Sequence, residues 1–491
     1  MSQLSIAQHG IWITARAGAA TAYHMPLLIT LAEQPDHGAL ARACRGLVER
    51  HPQLGSAVRE HDGVPRFEPA DAQPVLESAE SVDEVVARPF DLERGPLVRF
   101  ALVGGRTLLV VAHHLVFDGH SKDLLVADLA ALYRGEPPRS EPPQGRAPAE
   151  PPTAVEPAVE PAGDAAGFWA QRWHEPGTVA LPGATLASRA AAVGEAVEFP
   201  LDIPELDGLT RFEVLVSAVH ALLGSYGNSE VVTALDLSTR TAAESGRIGC
   251  YVNELPLFSK PLADTPFSAF AAGLRAELRE IYRYRGVPIS RAVPGLRPHA
   301  SLAPVSISYR RTAEAGWPDG EVEWLAFNHS VRGALQLQVV QGAQGAVASL
   351  RYDPRELPQP AGFADDLAAV LAAVARDQHQ PLGGLREFDA ATATPDRQPQ
   401  QAPIPAPAPE ADANDADDAD DPLVEQIRAI WEQVLDLSPI DPHDDIFDLG
   451  GHSLTITQII ARMQRQLGVE ISLDDFFDNS TIAGVVKVIR S

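Results

Sequence analysis

Cysteine is almost absent from this chain: Cys44 and Cys250 are the only two in 491 residues. Two thiols cannot build a disulfide framework or a zinc cluster for a protein of this size, so both are expected to be ordinary buried thiols, with no metal bound. Lysine is nearly as scarce, with Lys122, Lys260 and Lys487 alone among 39 basic residues. Against 66 acidic residues the formal charge is -27, which argues against a nucleic-acid surface and an anionic-lipid surface and points to proteins or small acyl groups as partners. Long apolar runs are missing too. No stretch reaches the ~18 residues of a membrane span, and the opening MSQLSIAQHGIW lacks the basic start and apolar run of a signal peptide. A soluble, cytoplasmic protein is the expectation.

Proline, in contrast, is abundant and unevenly placed. Nine of the 42 prolines fall between Pro137 and Pro161, in a stretch of Ala, Glu and Pro without apolar periodicity. A second such stretch runs over 391–421, first rich in Pro, Ala and Gln, then acidic, with seven carboxylates between Glu410 and Asp421. Neither can bury enough apolar surface to offset its ordering entropy. The breaks divide the chain into a first lobe at 1–165 ending in a Pro-rich insertion at about 136–165, a second lobe at 166–390, a flexible linker at 391–421 and a small domain at 422–491. In the first lobe, apolar residues at helical spacing over 40–49 and 121–133 flank two short strands predicted within 98–113 around Gly104-Gly105. The second lobe repeats the alternation, helical over 214–226, extended over 230–237 and strand-like over 305–310. Two similar α/β lobes are predicted. The last block has no clear strand and reads as a small helical bundle.

The strand LLVVA ends in His113, His114, Leu115, Val116, Phe117, Asp118 and Gly119, after which a helix begins. An imidazole at a strand end can project into a cleft while a tight turn through Asp118 and Gly119 holds its backbone, and alternation sends one histidine outward and its neighbour inward. The plainer reading is two core histidines beside an aspartate that caps the next helix.

H-H-x-x-x-D-G resembles the motif of the acyltransferase superfamily that includes chloramphenicol acetyltransferase, the dihydrolipoyl acyltransferases and the condensation domains of nonribosomal peptide synthetases. LSIAQHGIW near the start, ERHPQL at 49–54, IGCYVNELP at 248–256 and APVSISYRR at 303–311 resemble condensation-domain motifs in the family's order, over about 4–385. The resemblance implies a two-lobed α/β (α+β) chloramphenicol-acetyltransferase-like fold with a tunnel between the lobes. It departs from the family at Gly55-Ser56, where many relatives have Arg and Thr, and at 285–289, where only Pro288 matches.

Attack of an amine on a thioester needs an unprotonated, well-placed nucleophile and a route for its proton, and a neutral imidazole suits that task. By resemblance His113, His114, Asp118 and Gly119 form the catalytic motif. His114 would point into the tunnel and either accept the proton or orient the amine, while His113 would be structural. Asp118 is expected to turn away from the tunnel and pair with Arg240 of the second lobe, with Asn253 of the IGCYVN motif also structural near the site. Gly119 would offer close backbone approach near the reacting carbonyl or simply permit the turn. Ser308 would contact an oxyanion or be an ordinary strand serine.

The last block contains DDIFDLGGHSLTITQII, with Ser453 at the start of a run of helical spacing. Alone, the serine could be a helix N-cap. The stretch resembles the L-G-G-x-S signature of peptidyl carrier proteins, four-helix bundles whose serine carries a covalent phosphopantetheine, and a phosphodiester at a helix N-terminus lies at the dipole's positive end. From Pro422 onward, 11 acidic and 5 basic residues suit recognition by basic patches on partner enzymes.

Together these resemblances imply a condensation and carrier didomain that forms an amide between a donor acyl thioester and an aminoacyl group on the arm of Ser453. Nothing precedes the condensation block, so an upstream acyl or peptidyl carrier protein is expected to bring the donor. With no adenylation domain, a loading enzyme acting in trans is expected to charge Ser453, a phosphopantetheinyl transferase to attach the arm, and a downstream synthetase or release enzyme to take the product. A ~30-residue flexible linker has a root-mean-square reach of roughly 30 Å, enough for the arm to visit several sites. Two other readings stay open: an ester-forming or free-acceptor acyltransferase, and a degenerate domain that only docks carriers.

Overall fold

The computed structural model describes residues 2–16, 21–61, 63–138, 162–293, 300–312, 319–385, 421–435, 437–447 and 453–490, with 296, 316, 317 and 449. Most of the proline-rich insertion and nearly all of the acidic linker lie outside the described residues.

In the first lobe, LLVVA is an unbroken apolar run because its strand, Thr107–His113, is buried on both faces. It pairs antiparallel with His24–Leu31 on one side and Val98–Val103 on the other, and Leu76–Ala79 adds a parallel edge. The helices His37–Arg50 and Gly119–Tyr133 bring Leu40, Leu47, Leu125 and Leu129 into a core with Leu27, Ile29 and Phe100. A smaller cluster of Val85, Val86, Leu109 and Val111 forms beside it. The remaining edge strand, Gly320–Glu323, comes from the second half of the chain, pairing antiparallel with His24–Leu31, and Trp317 enters the same core. No periodicity in the sequence announces this crossing.

The second lobe has a six-stranded sheet in the order Glu195–Leu201, Gly345–Tyr352, Leu335–Gly342, Val305–Arg311, Val231–Ser238, Val252–Ser259. The helices Arg211–Ser225, Phe267–Arg283 and Ala361–Arg376 contribute to its core. The first of these starts at a capping box, in which Thr210 accepts from the Glu213 backbone and Glu213 returns the bond.

The C-terminal region folds as four helices, Pro422–Leu435, Ser453–Leu467, Leu473–Asp478 and Ile482–Arg490, around Trp431, Ile456, Ile459, Met463, Phe476 and Ile482. The bundle rests on the first lobe at Gly63, in the turn between Ser56–His61 and Val64–Pro69. There φ is +77° and an added Cβ would come within 2.6 Å of the Gln458 Cα, so glycine is required for both its backbone and its space. Among the described residues no helix is long and apolar enough to cross a membrane.

Candidate active site

Strand alternation separates the two histidines. His113 lies opposite His24 in the sheet and turns into the lobe, its ring 5.7 Å from that of Phe90 and 6.3 Å from that of Tyr23. Its Nδ1 accepts the Leu115 N–H at 3.2 Å. Burial first, then the neighbouring His24, His114 and Arg99, hold its pKa well below the ordinary imidazole value, so it is a neutral packing group.

His114 opens a single 3-10 turn, His114–Val116, and its Nδ1 lies 2.6 Å from the Phe117 carbonyl oxygen. A carbonyl only accepts, so Nδ1 carries the proton and Nε2 keeps its lone pair. Burial lowers the pKa of this ring, with the charge of Asp118 acting in the opposite direction. The result is an unprotonated base of fixed tautomer, bordering a cleft that both lobes line.

Asp118 does two jobs at once. It caps the helix Gly119–Tyr133, accepting from the Ser121 N–H and the Ser121 hydroxyl, both at 2.8 Å. It also receives Arg240 of the second lobe in a fork, from Nη2 to Oδ1 at 2.8 Å and from Nε to Oδ2 at 3.2 Å, and the Tyr251 N–H at 3.1 Å. Arg240 in turn donates to the Glu244 and Arg247 carbonyls, each at 2.7 Å, and lies 4.4 Å over the Tyr251 ring. The pair is buried, with side-chain exposures of 9% and 2%. It joins the histidine loop to the loop that leads into IGCYVN, and charge-assisted bidentate bonds are the strong kind for such a joint.

Gly119 does not have an unusual φ, and an added Cβ there would stand 2.9 Å from the Arg310 Cδ, so the glycine makes room for an arginine held by Asp123 at 2.9 Å. Ser308, on the strand Val305–Arg311, gives its hydroxyl to Asp236. Asn253 is buried, and its Nδ2 donates to the Arg285 and Val287 carbonyls at 2.9 and 3.1 Å. It thereby anchors the divergent loop whose Pro288 borders the cleft. The other divergence is packing: Gly55 is buried against Val48, and the Ser56 hydroxyl donates to the Gln53 carbonyl at 2.6 Å.

The cleft measures about 720 Å³, including its opening to solvent. Its wall also holds Tyr23, Asp236, Glu254 and Arg332, which sequence reasoning missed. Two of these carried a signal: Asp236 is the one charged residue of the strand VVTALDLS, and Glu254 follows Asn253 inside a quoted motif. Arg332 comes from the short strand Ser330–Arg332, with no pattern around it. In the bundle, Ser453 is the first residue of its 15-residue helix, which suits attachment of a phosphodiester.

Residues 1–305 match the condensation domain family and residues 425–489 match the phosphopantetheine attachment site family. Chondramide synthase cmdD of Chondromyces crocatus is 28% identical over 63% of this chain, and surfactin synthase subunit 1 of Bacillus subtilis is 27% identical over 60%. The matched regions cover 9% of each relative, so the chain spans under a tenth of their length. Among solved structures, the first condensation domain of the CDA synthetase superposes with a TM-score of 0.63 at 17% identity, covering 79% of this chain and 99% of that one. The X-domain from teicoplanin biosynthesis superposes with a TM-score of 0.62 at 19% identity, covering 79% of this chain and 97% of that one. At such identities the superpositions speak for the fold, and the family matches carry the rest: this chain belongs to the condensation domain family and bears a phosphopantetheine attachment site domain over residues 425–489.

Proposed function

We propose that the chain joins a donor acyl group, delivered as a thioester on a separate carrier, to an amine held on the arm of Ser453, with His114 as the group that handles the amine's proton. The observation that carries this reading is the neutral His114, its Nδ1 occupied by the Phe117 carbonyl, beside a cleft lined by both lobes. A lone pair fixed in that position can accept a proton from the attacking nitrogen and return it to the departing sulfur. Asp118 and Arg240 fix the loop and stay out of the chemistry. His113, Gly119 and Asn253 position the backbone around it.

Phosphopantetheine supplies a thiol on a long flexible arm, and Ser453 at its helix start is the residue to hold it. Helix Ser453–Leu467 packs against Ile6–Arg16, whose Ile6, Ala7 and Gly10 border the cleft, and this supports the bundle as the acceptor carrier. A carrier domain interacts with synthetase partners and with a phosphopantetheinyl transferase. The specific partners inferred are an upstream carrier, a loading enzyme acting in trans and a downstream synthetase or release enzyme.

The test is reconstitution. A phosphopantetheinyl transferase moves the aminoacyl-phosphopantetheine of a synthetic aminoacyl-coenzyme A onto Ser453, releasing adenosine 3′,5′-bisphosphate, an acyl-loaded carrier is added, and intact-mass spectrometry follows the chain. A mass gain equal to the acyl group supports the reading, and its absence across a panel of acyl and aminoacyl groups overturns it. A hydroxyacyl arm in place of the aminoacyl arm separates amide from ester formation.

A further inference from the structure

The second-lobe wall of the cleft holds two carboxylates. Asp236, on Val231–Ser238, and Glu254, on Val252–Ser259, are direct antiparallel partners, and both border the cleft with His114. Like charges directly opposite on neighbouring strands destabilise a sheet. The nearby partners do not relieve them equally. Glu254 receives Arg332 Nη2 at 3.2 Å and the Ser301 hydroxyl at 2.9 Å. The same arginine lies 5.3 Å over the Tyr23 ring. Asp236 has the Ser308 hydroxyl. Around it stand Glu254, Arg332, Tyr23 and Cys250; among the described residues the cation whose charge acts on it is Arg332, which is hydrogen-bonded to Glu254. Burial and the charge of Glu254 push the Asp236 carboxyl up to about 7.

An α-amine arrives at neutral pH largely as its ammonium, with a pKa of about 7.7–8.0, and must lose two protons on the way to an amide. His114 is one base, and its lowered pKa makes it a poor acceptor from an ammonium. We propose that Asp236 is a catalytic residue that binds the acceptor's ammonium and takes its first proton, leaving the second to His114; this rests on the amide-forming reading above.

The step balances. The ammonium and the Asp236 carboxylate become a free amine and a carboxylic acid. The nitrogen lone pair forms the C–N bond as the carbonyl electron pair moves to oxygen, and His114 Nε2 takes the second proton. The C=O bond re-forms, the C–S bond of the donor breaks, the departing sulfur takes the proton from His114, and Asp236 returns its own to water. Proton transfer between groups of matched pKa near the working pH is the efficient arrangement.

Asp236→Asn keeps the size and a hydrogen bond for Ser308 while removing the base. The full chain is given soluble aminoacyl-pantetheine acceptors with an acyl-loaded carrier, and kcat and KM are followed from pH 6 to 9. At pH 7 the variant is expected to lose about 10-fold in kcat, because an amine of pKa about 7.7–8.0 is roughly a tenth unprotonated there, with the deficit shrinking toward pH 9 as solvent deprotonates the amine. An aminooxyacetyl-pantetheine acceptor, uncharged at neutral pH, is expected to react equally with both forms. A second readout needs no turnover: an amide-linked alanyl-pantetheine analogue should bind the variant about 10-fold more weakly at pH 7, and its lactyl counterpart equally well. A loss independent of pH, a loss with the aminooxy acceptor, or unchanged kcat and ammonium binding would overturn the assignment. Absence of amide with every acceptor in the wild-type chain would instead overturn the condensation reading, and the binding pair would still judge Asp236.

Discussion

His114 and Ser453 both stand where the chain turns into a helix, yet the two sites are built in opposite ways. The histidine loop is held from outside: Asp118 caps its own helix but takes its fork from Arg240, 122 residues away, and another bond from the Tyr251 backbone. The setting of His114 is therefore a product of two lobes closing on one loop. Ser453 begins a helix inside a bundle with its own core of Trp431, Ile459 and Phe476, and everything that defines it lies within that block. A general base needs a tuned environment, which only tertiary structure supplies. A serine that receives a prosthetic group needs a helix start and a modifying enzyme.

That contrast can be broken by substitution, and the largest effect is expected at the simpler site. Ser453→Ala should abolish addition of a phosphopantetheine group by a phosphopantetheinyl transferase, read by intact mass, while the thermal unfolding of the condensation lobes stays unchanged. A labelled variant would show that the handle lies elsewhere. His114→Ala should lower acyl transfer by ~10²–10⁴-fold with folding and labelling intact. Turnover near the wild-type rate would remove the base from the chemistry.

The third substitution addresses what holds the base. Asp118→Asn and Arg240→Ala each leave a buried partner uncompensated, at ~3–5 kcal/mol, and the double variant should be less than additive in urea denaturation. Activity should fall along with stability in all three. Additive losses, or an Asp118→Asn chain as stable as the wild type, would make the two lobes independent at this joint.

The smallest effect is a matter of pH. The Asp236 carboxyl titrates at about 7 in the folded chain against an ordinary value of 3.8. A raised carboxyl contributes its full share of stability below pH 3.8 and loses it as pH rises toward 7, because the unfolded chain ionises first. Asp236→Asn is therefore expected to melt on the order of 2–4 °C above the wild type at pH 8 and level with it at pH 3.5, in calorimetric scans. An equal shift at both pH values would mean that burial and Glu254 do not strain this carboxyl. A gain in stability together with lost activity is what a functional charge in a sheet predicts.

Much of this was written locally. Apolar spacing over 40–49 and 214–226 marked helices that the structure extends to His37–Arg50 and Arg211–Ser225, and the Gly104-Gly105 pair marked the hairpin between Val98–Val103 and Thr107–His113. Such elements follow from period and turn chemistry over a dozen residues, which any reader of the chain can count. The histidine motif and the G-G-x-S were legible as short contiguous patterns that resemble those of known families. Tertiary structure alone decided the rest. It carried Gly320–Glu323 across to the first sheet, filled the space beside Gly119 with Arg310, and set Asp236 against Glu254 by the register of two strands. Each of these joins residues far apart in sequence through packing and hydrogen bonding between elements. A one-residue slip of register would have sent Asp236 to the other face of the sheet, and nothing within either strand records which partner the other brings.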